Sequence, residues 1–271
     1  MSDDITYRHR YKAGNVGDVW KHAALTLLTE ALPASPRRWL ETHAGAGRYR
    51  LETTGEWTAG IGRVDAAGGD RPASIDRFQA LASAWRQPDA GGRYPGSPLF
   101  LRPALGDADR LTLVELVEEP LAELRTLFAD DAVVEVVAGD GYAELTARAG
   151  DVDFVFIDPP YLVREEWERV AQATIDATRA GACVALWYPI KALSRPNGLL
   201  ARLREAGVPT LALDLITGDL AKKKKALAGS GMVITRPPAG LAGRLAEAAA
   251  WLGPVLAAGG EWSLRVQAWD A

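Results

Sequence analysis

Eight short apolar runs, separated by longer amphipathic segments, constrain the fold of this 271-residue chain more than any other feature. They lie at 39–42, 111–116, 133–138, 152–157, 183–188, 211–216, 232–235 and 263–269. Runs this short suit strands, and the segments between them carry helical periodicity. Within 16–32, Trp20, Ala24, Leu28 and Leu32 recur every four residues, with Asn15 or Asp18 available as a cap. Residues 120–128 open on Pro120, which suits a first helical turn, and 165–180 alternates charges with Val170, Ala173, Ile175 and Ala177. Strand and helix alternating in this way predict an α/β fold with a mostly parallel sheet flanked by helices. Such a sheet gathers its strand ends on one rim, where open α/β folds bind ligands.

The residues that follow each run are therefore the informative ones. After the first run comes His43-Ala44-Gly45-Ala46-Gly47, whose glycines let the backbone approach a ligand closely. A helix expected after this loop would add unpaired N–H groups. Arg50 stands where the dinucleotide fingerprint needs a third small residue, so a nicotinamide pattern fails. A nucleoside cofactor such as S-adenosylmethionine needs only the close turn and an acid for the ribose. Glu115 ends the next run and either accepts both ribose hydroxyls or is an exposed strand-end charge. Asp140, between Gly139 and Gly141, either receives an adenine amine or makes a tight turn. His22 and His43 flank the first helix and the glycine loop, as donors to a cofactor carboxylate or as structural imidazoles.

The run Phe154-Val155-Phe156-Ile157 leads directly into Asp158-Pro159-Pro160-Tyr161. Prolines remove backbone donors, so this turn presents free carbonyls beside a carboxylate and an aromatic ring. Those groups suit a flat heterocycle bearing an amine, although Asp-Pro is also an ordinary turn signal.

In a simple dinucleotide fold the ribose acid lies about 20 residues beyond the glycine loop. Here Glu115 is the first strand-ending acid after Gly47, which implies an insertion at about 56–95 within one domain, helical over 75–85. Hydrophobic content of 48% supports a large core. The net charge of −4 means that any nucleic acid must be met by a local basic patch. Two basic stretches qualify: Arg8, Arg10, Lys12 and Lys21 interleaved with Tyr7 and Tyr11, and the lysine run 222–225. Charge runs of this kind are more often solvated loops. The single cysteine, Cys183, rules out a disulfide within the chain, and three histidines without ligand spacing lead us to expect no metal site. With no signal peptide and no apolar run of about 18 residues, a soluble cytoplasmic protein without membrane contact is expected.

Taken in order along the chain, these motifs resemble one family, the bacterial 23S rRNA adenine N6-methyltransferases of the RlmJ type. The resemblance rests on Tyr7-Arg8-His9, Ala13-Gly14-Asn15, Asp18-Val19, Lys21-His22, Thr42-His43-Ala44-Gly45-Ala46-Gly47-Arg48-Tyr49 and Tyr94-Pro95-Gly96-Ser97-Pro98. It continues through Glu115, Asp140-Gly141, Asp158-Pro159-Pro160-Tyr161, Leu186-Trp187-Tyr188-Pro189 and Ser230-Gly231-Met232. The chain departs from the family pattern in the insertion and around 214–228.

The resemblance implies a Rossmann-like class I methyltransferase with a small helical insertion. It implies that His22, His43, Ser97, Glu115, Asp140 and Gly141 contact S-adenosyl-L-methionine, with Lys21 beside that pocket and Gly45 and Gly47 in its loop. Asp158 is then the catalytic acceptor, the Pro159 carbonyl its partner in orienting the amine, and Tyr161 a stacking ring on the base. Tyr7 matches a substrate-contacting tyrosine. The implied substrate is 23S rRNA, free or protein-poor, and a monomer is expected. Two other readings stay open: a DNA adenine methyltransferase, and a catalytically silent RNA-binding module that keeps the fold.

Overall fold

The computed structural model describes residues 11–33, 36–85, 92–221 and 227–270. Helix α1 (Val16–Ala31) opens with reciprocal capping. The Asn15 side chain accepts from the Asp18 N–H at 3.0 Å, and the Asp18 carboxylate accepts from the Gly14 N–H at 2.9 Å. Capping of this kind satisfies donors that the first turn would leave orphaned. Leu32 leaves the helix in an extended conformation, as a residue preceding proline should.

Among the described residues, eight strands form one sheet: β1 (Arg38–Glu41), β4 (Arg110–Glu115), β5 (Val134–Ala138), β6 (Phe154–Ile157), β7 (Cys183–Ile190), β8 (Thr210–Ile216), β9 (Gly229–Thr235) and β10 (Ser263–Trp269). Their spatial order is β10-β8-β9-β7-β6-β1-β4-β5. From β5 across to β7 neighbouring strands are parallel, while β7-β9, β9-β8 and β8-β10 pair antiparallel. All eight expected strands are present. The chain runs outward from β1 to β4 and β5, then returns to β6 on the other side of β1. That reversal opens a crevice at the carboxyl ends of β1, β4 and β6.

Period-two alternation divides the core between the two sheet faces. Trp39, Phe154 and Phe156 pack with Trp20 and Leu25 of α1 and with Leu245 of α9 (Leu241–Ala257). Leu40, Val155 and Ile157 face the other way, onto Val170 and Ile175 of α7 (Glu166–Arg179) and Leu199 of α8 (Ser194–Glu205). Every residue of β6 is buried, which explains its unbroken apolar sequence. Each large apolar side chain so buried contributes about 2 kcal/mol. Edge strand β10 instead alternates between exposed and half-buried positions.

Two features correct the expectations. No helix follows the glycine loop; strand β2 (Arg48–Arg50) does, paired antiparallel with β3 (Arg93–Pro95). Strands of three residues, Arg48-Tyr49-Arg50 and Arg93-Tyr94-Pro95, carry no readable periodicity, so the hairpin escapes pattern analysis. Between its strands lie α2 (Ile61–Ala66) and α3 (Ala73–Ala84), close to the helix expected at 75–85. The second correction is small: β4 stops at Glu115, and Leu116, placed in the strand by its apolar side chain, is 69% exposed. Cys183 is buried in the core, as its apolar surroundings imply. No helix of the described residues is long and apolar enough to cross a membrane.

Candidate functional site

The carboxyl ends of β1, β4, β5 and β6 share one rim because these strands are parallel. The loop after β1 is tied to β4 at two points. Ala44 N–H donates to the Val114 carbonyl at 2.9 Å, and Gly45 N–H donates to one Glu115 carboxylate oxygen at 2.8 Å. The other Glu115 oxygen accepts from Val117 N–H at 2.8 Å. Glu115 is thus 9% exposed and shapes the glycine loop directly, unlike a solvated strand-end charge. Gly45 and Gly47 hold φ of +60° and +73°, a region L side chains rarely enter. A Cβ at Gly45 would also strike the Tyr49 hydroxyl, which accepts from Ala46 N–H at 3.2 Å. The strand that replaces the expected helix therefore brings Tyr49 back over the loop.

At the end of β5, Asp140 caps α6 (Gly141–Ala147), accepting from Tyr142 N–H at 2.8 Å and Ala143 N–H at 3.2 Å. Its second oxygen pairs with Arg169 at 3.0 Å. Partial burial opposes ionisation of Asp140, but the two amides and the guanidinium outweigh it and hold its carboxyl below the ordinary range. Gly141 is buried against Thr42, whose backbone occupies the space a Cβ would need. His43 Nδ1 lies 2.8 Å from the Thr42 hydroxyl, within hydrogen-bond distance, and the ring is edge-on to Tyr142. Burial pushes its imidazole down to about 4, so the ring is neutral at pH 7.

Asp158 leaves β6 and meets α1 instead of solvent. The Lys21 ammonium, 6% exposed, lies 2.7 Å from an Asp158 oxygen and 2.7 Å from Asp18, with the Trp187 ring 5.4 Å away. Burial alone would discharge Lys21, but the two carboxylates raise its pKa above the ordinary value. Pro159 is buried, and among the described residues its carbonyl accepts no backbone hydrogen bond. Tyr161 adopts φ of +48°, an uncommon conformation for an aromatic residue. Its hydroxyl donates to the Trp187 carbonyl at 2.8 Å, and its ring packs on Trp167 at 4.8 Å between centroids. Those contacts hold the turn in place.

Beneath this rim lies an acid that the motif reading passed over. Glu41, the last residue of β1, is fully buried. One carboxylate oxygen accepts from the Ser97 hydroxyl, and the other has no hydrogen-bond partner among the described residues. Burial drives its pKa up to about 8; Ser97 opposes the shift, Asp158 adds to it, Lys21 opposes it and Glu115 adds to it. Ser97 touches Glu41, and Lys21, Asp158 and Glu115 lie close enough to act on its charge. The signal was available: an acid placed one residue from the end of a buried apolar run has to be satisfied by something. His22 lies deeper, 2% exposed, stacked on Phe100 at 4.4 Å with Nδ1 2.9 Å from the Tyr94 hydroxyl. Tyr7, Arg8, Arg10 and the lysine run 222–225 fall outside the described residues.

Comparison with known proteins gives a consistent result. Residues 35–269 match the family described as "Ribosomal RNA large subunit methyltransferase D, RlmJ". The chain is 30% identical over 260 residues to ribosomal RNA large subunit methyltransferase J of Escherichia coli K12, covering 92% of each chain. It is 30% identical over 280 residues to the Haemophilus influenzae protein of the same name, covering 97% of this chain and 98% of that one. A crystal structure of a Legionella pneumophila protein superposes with a TM-score of 0.86 at 27% identity, over 94% of this chain and 98% of the other.

Proposed function

The chain belongs to the RlmJ family of ribosomal RNA large subunit methyltransferases, and we propose that it transfers a methyl group from S-adenosylmethionine to N6 of an adenosine in 23S rRNA. The observation that carries this reading is the Asp158-Pro159-Pro160-Tyr161 turn on the same rim as the glycine loop and Glu115. We read the helices between β2 and β3 as an insertion within a single methyltransferase domain.

The residues on the rim fit the methyl donor. Glu41 holds a buried carboxylate oxygen without a partner among the described residues, and an ammonium group would satisfy it. Glu115 retains lone pairs for ribose hydroxyls beyond its two backbone bonds. Asp140 and Gly141 take the adenine edge, the neutral His43 and Ser97 lie beside the methionine end, and Gly45 and Gly47 let the loop come close. His22 supports this pocket through its stack on Phe100. When bound, S-adenosylmethionine supplies an electrophilic methyl group on sulfonium.

The rest of the chemistry belongs to the protein. The exocyclic amine of adenine is a poor nucleophile because its lone pair is delocalised into the ring. Asp158 and the Pro159 carbonyl accept its two hydrogens, which turns the lone pair out of conjugation and toward the methyl group. Transfer would break the C–S bond of the sulfonium as the N–C bond forms, leaving a neutral thioether and a cationic nitrogen whose proton Asp158 would accept. Lys21 positions this carboxylate through its ion pair. Tyr161 stacks on the base, which has to be unpaired or extruded from a helix.

The test is transfer of a labelled methyl group to ribosomal RNA from a strain lacking the protein, with the product nucleoside identified after digestion. N6-methyladenosine in 23S rRNA, abolished by Asp158→Ala, is expected. Transfer to DNA alone, or to another base, overturns the assignment; cofactor binding with no transfer at all means a silent RNA-binding module.

A further inference from the structure

The overall charge of −4 repels RNA, so a methyltransferase of this composition needs a local site for the phosphates beside its target. A groove of about 340 Å³ between α7 and α8 has the required chemistry. It is lined by Arg164, Arg195 and Arg202, by Trp167 and Ser194, and by Gly198. Glu168, also in the groove, is paired with Arg202. Arg164 and Arg195 are exposed and have no ion-pair partner among the described residues. The same groove meets the first turn of α8, a 12-residue helix whose N-terminus has no side-chain cap, so its amides add partial positive charge.

The groove adjoins the catalytic turn. Trp167 forms its wall and packs on Tyr161, and Arg164 follows Tyr161 by three residues. Between them Leu162 and Val163 are 63% and 54% exposed, an uncovered apolar ledge between the two sites.

We propose that this groove holds the phosphodiester backbone of the RNA strand adjoining the target adenosine, with Arg164 and Arg195 on phosphate oxygens. Guanidinium forks match phosphate geometry, and the Ser194 hydroxyl adds a donor of the kind that positions a backbone without reading sequence. The groove is thus a docking subsite that sets where the strand lies while Asp158 waits for the extruded base. The inference rests on the reading of the protein as an RNA methyltransferase.

Two variants of the full chain test it on 23S rRNA transcribed in vitro with labelled methyl donor. Arg164→Glu with Arg195→Glu reverses the charge. Gly198→Leu fills the groove; a Cβ there meets open space, and loss of a helical glycine favours folding. Both should keep wild-type cofactor affinity and raise KM for RNA by about tenfold or more, with the loss in KM and not kcat. The charge reversal should also reduce the slope of log affinity against log salt by about one to two. KM and salt slope within twofold of wild type in both variants, or a loss confined to kcat, overturns the subsite. Absence of transfer to any RNA by the wild-type protein instead overturns the functional reading beneath it.

Discussion

Glu41 and Asp214 are carboxylates buried to the same degree in one sheet, 0% and 1% exposed, yet their surroundings are opposite. Asp214 stands in the antiparallel part. One of its oxygens accepts from the Tyr188 hydroxyl at 2.5 Å, and the other from Arg265 at 2.8 Å, with Arg265 in turn fixed by Asn197 at 2.7 Å. Even the neighbouring strand is shaped around this cluster, since a Cβ at Gly231 would strike both Tyr188 and Asp214. Glu41 stands in the parallel part with one oxygen bound to Ser97 and the other without a partner among the described residues. The satisfied acid holds the fold together. The unsatisfied one costs stability that a cationic ligand would return. Burial alone therefore does not separate the two acids; the completeness of their hydrogen bonding does.

The contrast is open to direct attack. Asp214→Ala leaves the Arg265 charge without its buried partner, and we expect a loss of about 3–5 kcal/mol in denaturant unfolding. A loss below about 1 kcal/mol would remove the distinction between the two acids. Asp158→Asn should cut methyl transfer by at least about 100-fold with little change in stability, read by single-turnover assay beside a thermal melt. Equal damage to folding would move Asp158 into the structural class with Asp214.

Glu41→Gln should act with the opposite sign to Asp214→Ala on the ligand-free protein. Its folded pKa of about 8 lies above the unfolded carboxylate value, so the folded state binds the extra proton between them. Stability from Glu41 is present below the unfolded pKa and is lost as pH rises toward and through 8. At pH 8 the amide should therefore be more stable than wild type by about 2 kcal/mol, with a flatter pH profile, and should bind S-adenosylmethionine about tenfold more weakly by calorimetry. His43 yields the smallest effect. With its pKa lowered to about 4, the unfolded state binds more protons between that value and 6.5. His43→Gln should thus flatten a loss of stability seen in wild type as pH falls through that window, measured by urea unfolding at pH 4 to 7.

Much of this was readable from residue order. Short apolar runs marked all eight strands of the main sheet, because β-strand cores need only local pattern and burial. Asn15 or Asp18 marks the start of α1, and Asp158, Glu115 and Asp140 stand out because each lies within two residues of the end of such a run. What escaped had no local signature. The β2-β3 hairpin joins segments separated by helical turns, and three residues on each side carry no periodicity. Nothing local in the sequence sets Trp167 and Trp187 against Tyr161, where the fold places them.

Residue order was enough for the α/β class, the acidic and glycine-rich turns and the resemblance to a methyltransferase family, since those depend on periodicity and on residues adjacent in the chain. The ion pair of Lys21 with Asp158 joins residues 137 positions apart, and the contact of Glu41 with Ser97 joins residues 56 apart. Pairings of that kind are set by how α1 and the 93–101 segment pack on the sheet, and with them whether a buried carboxylate is satisfied by its neighbours.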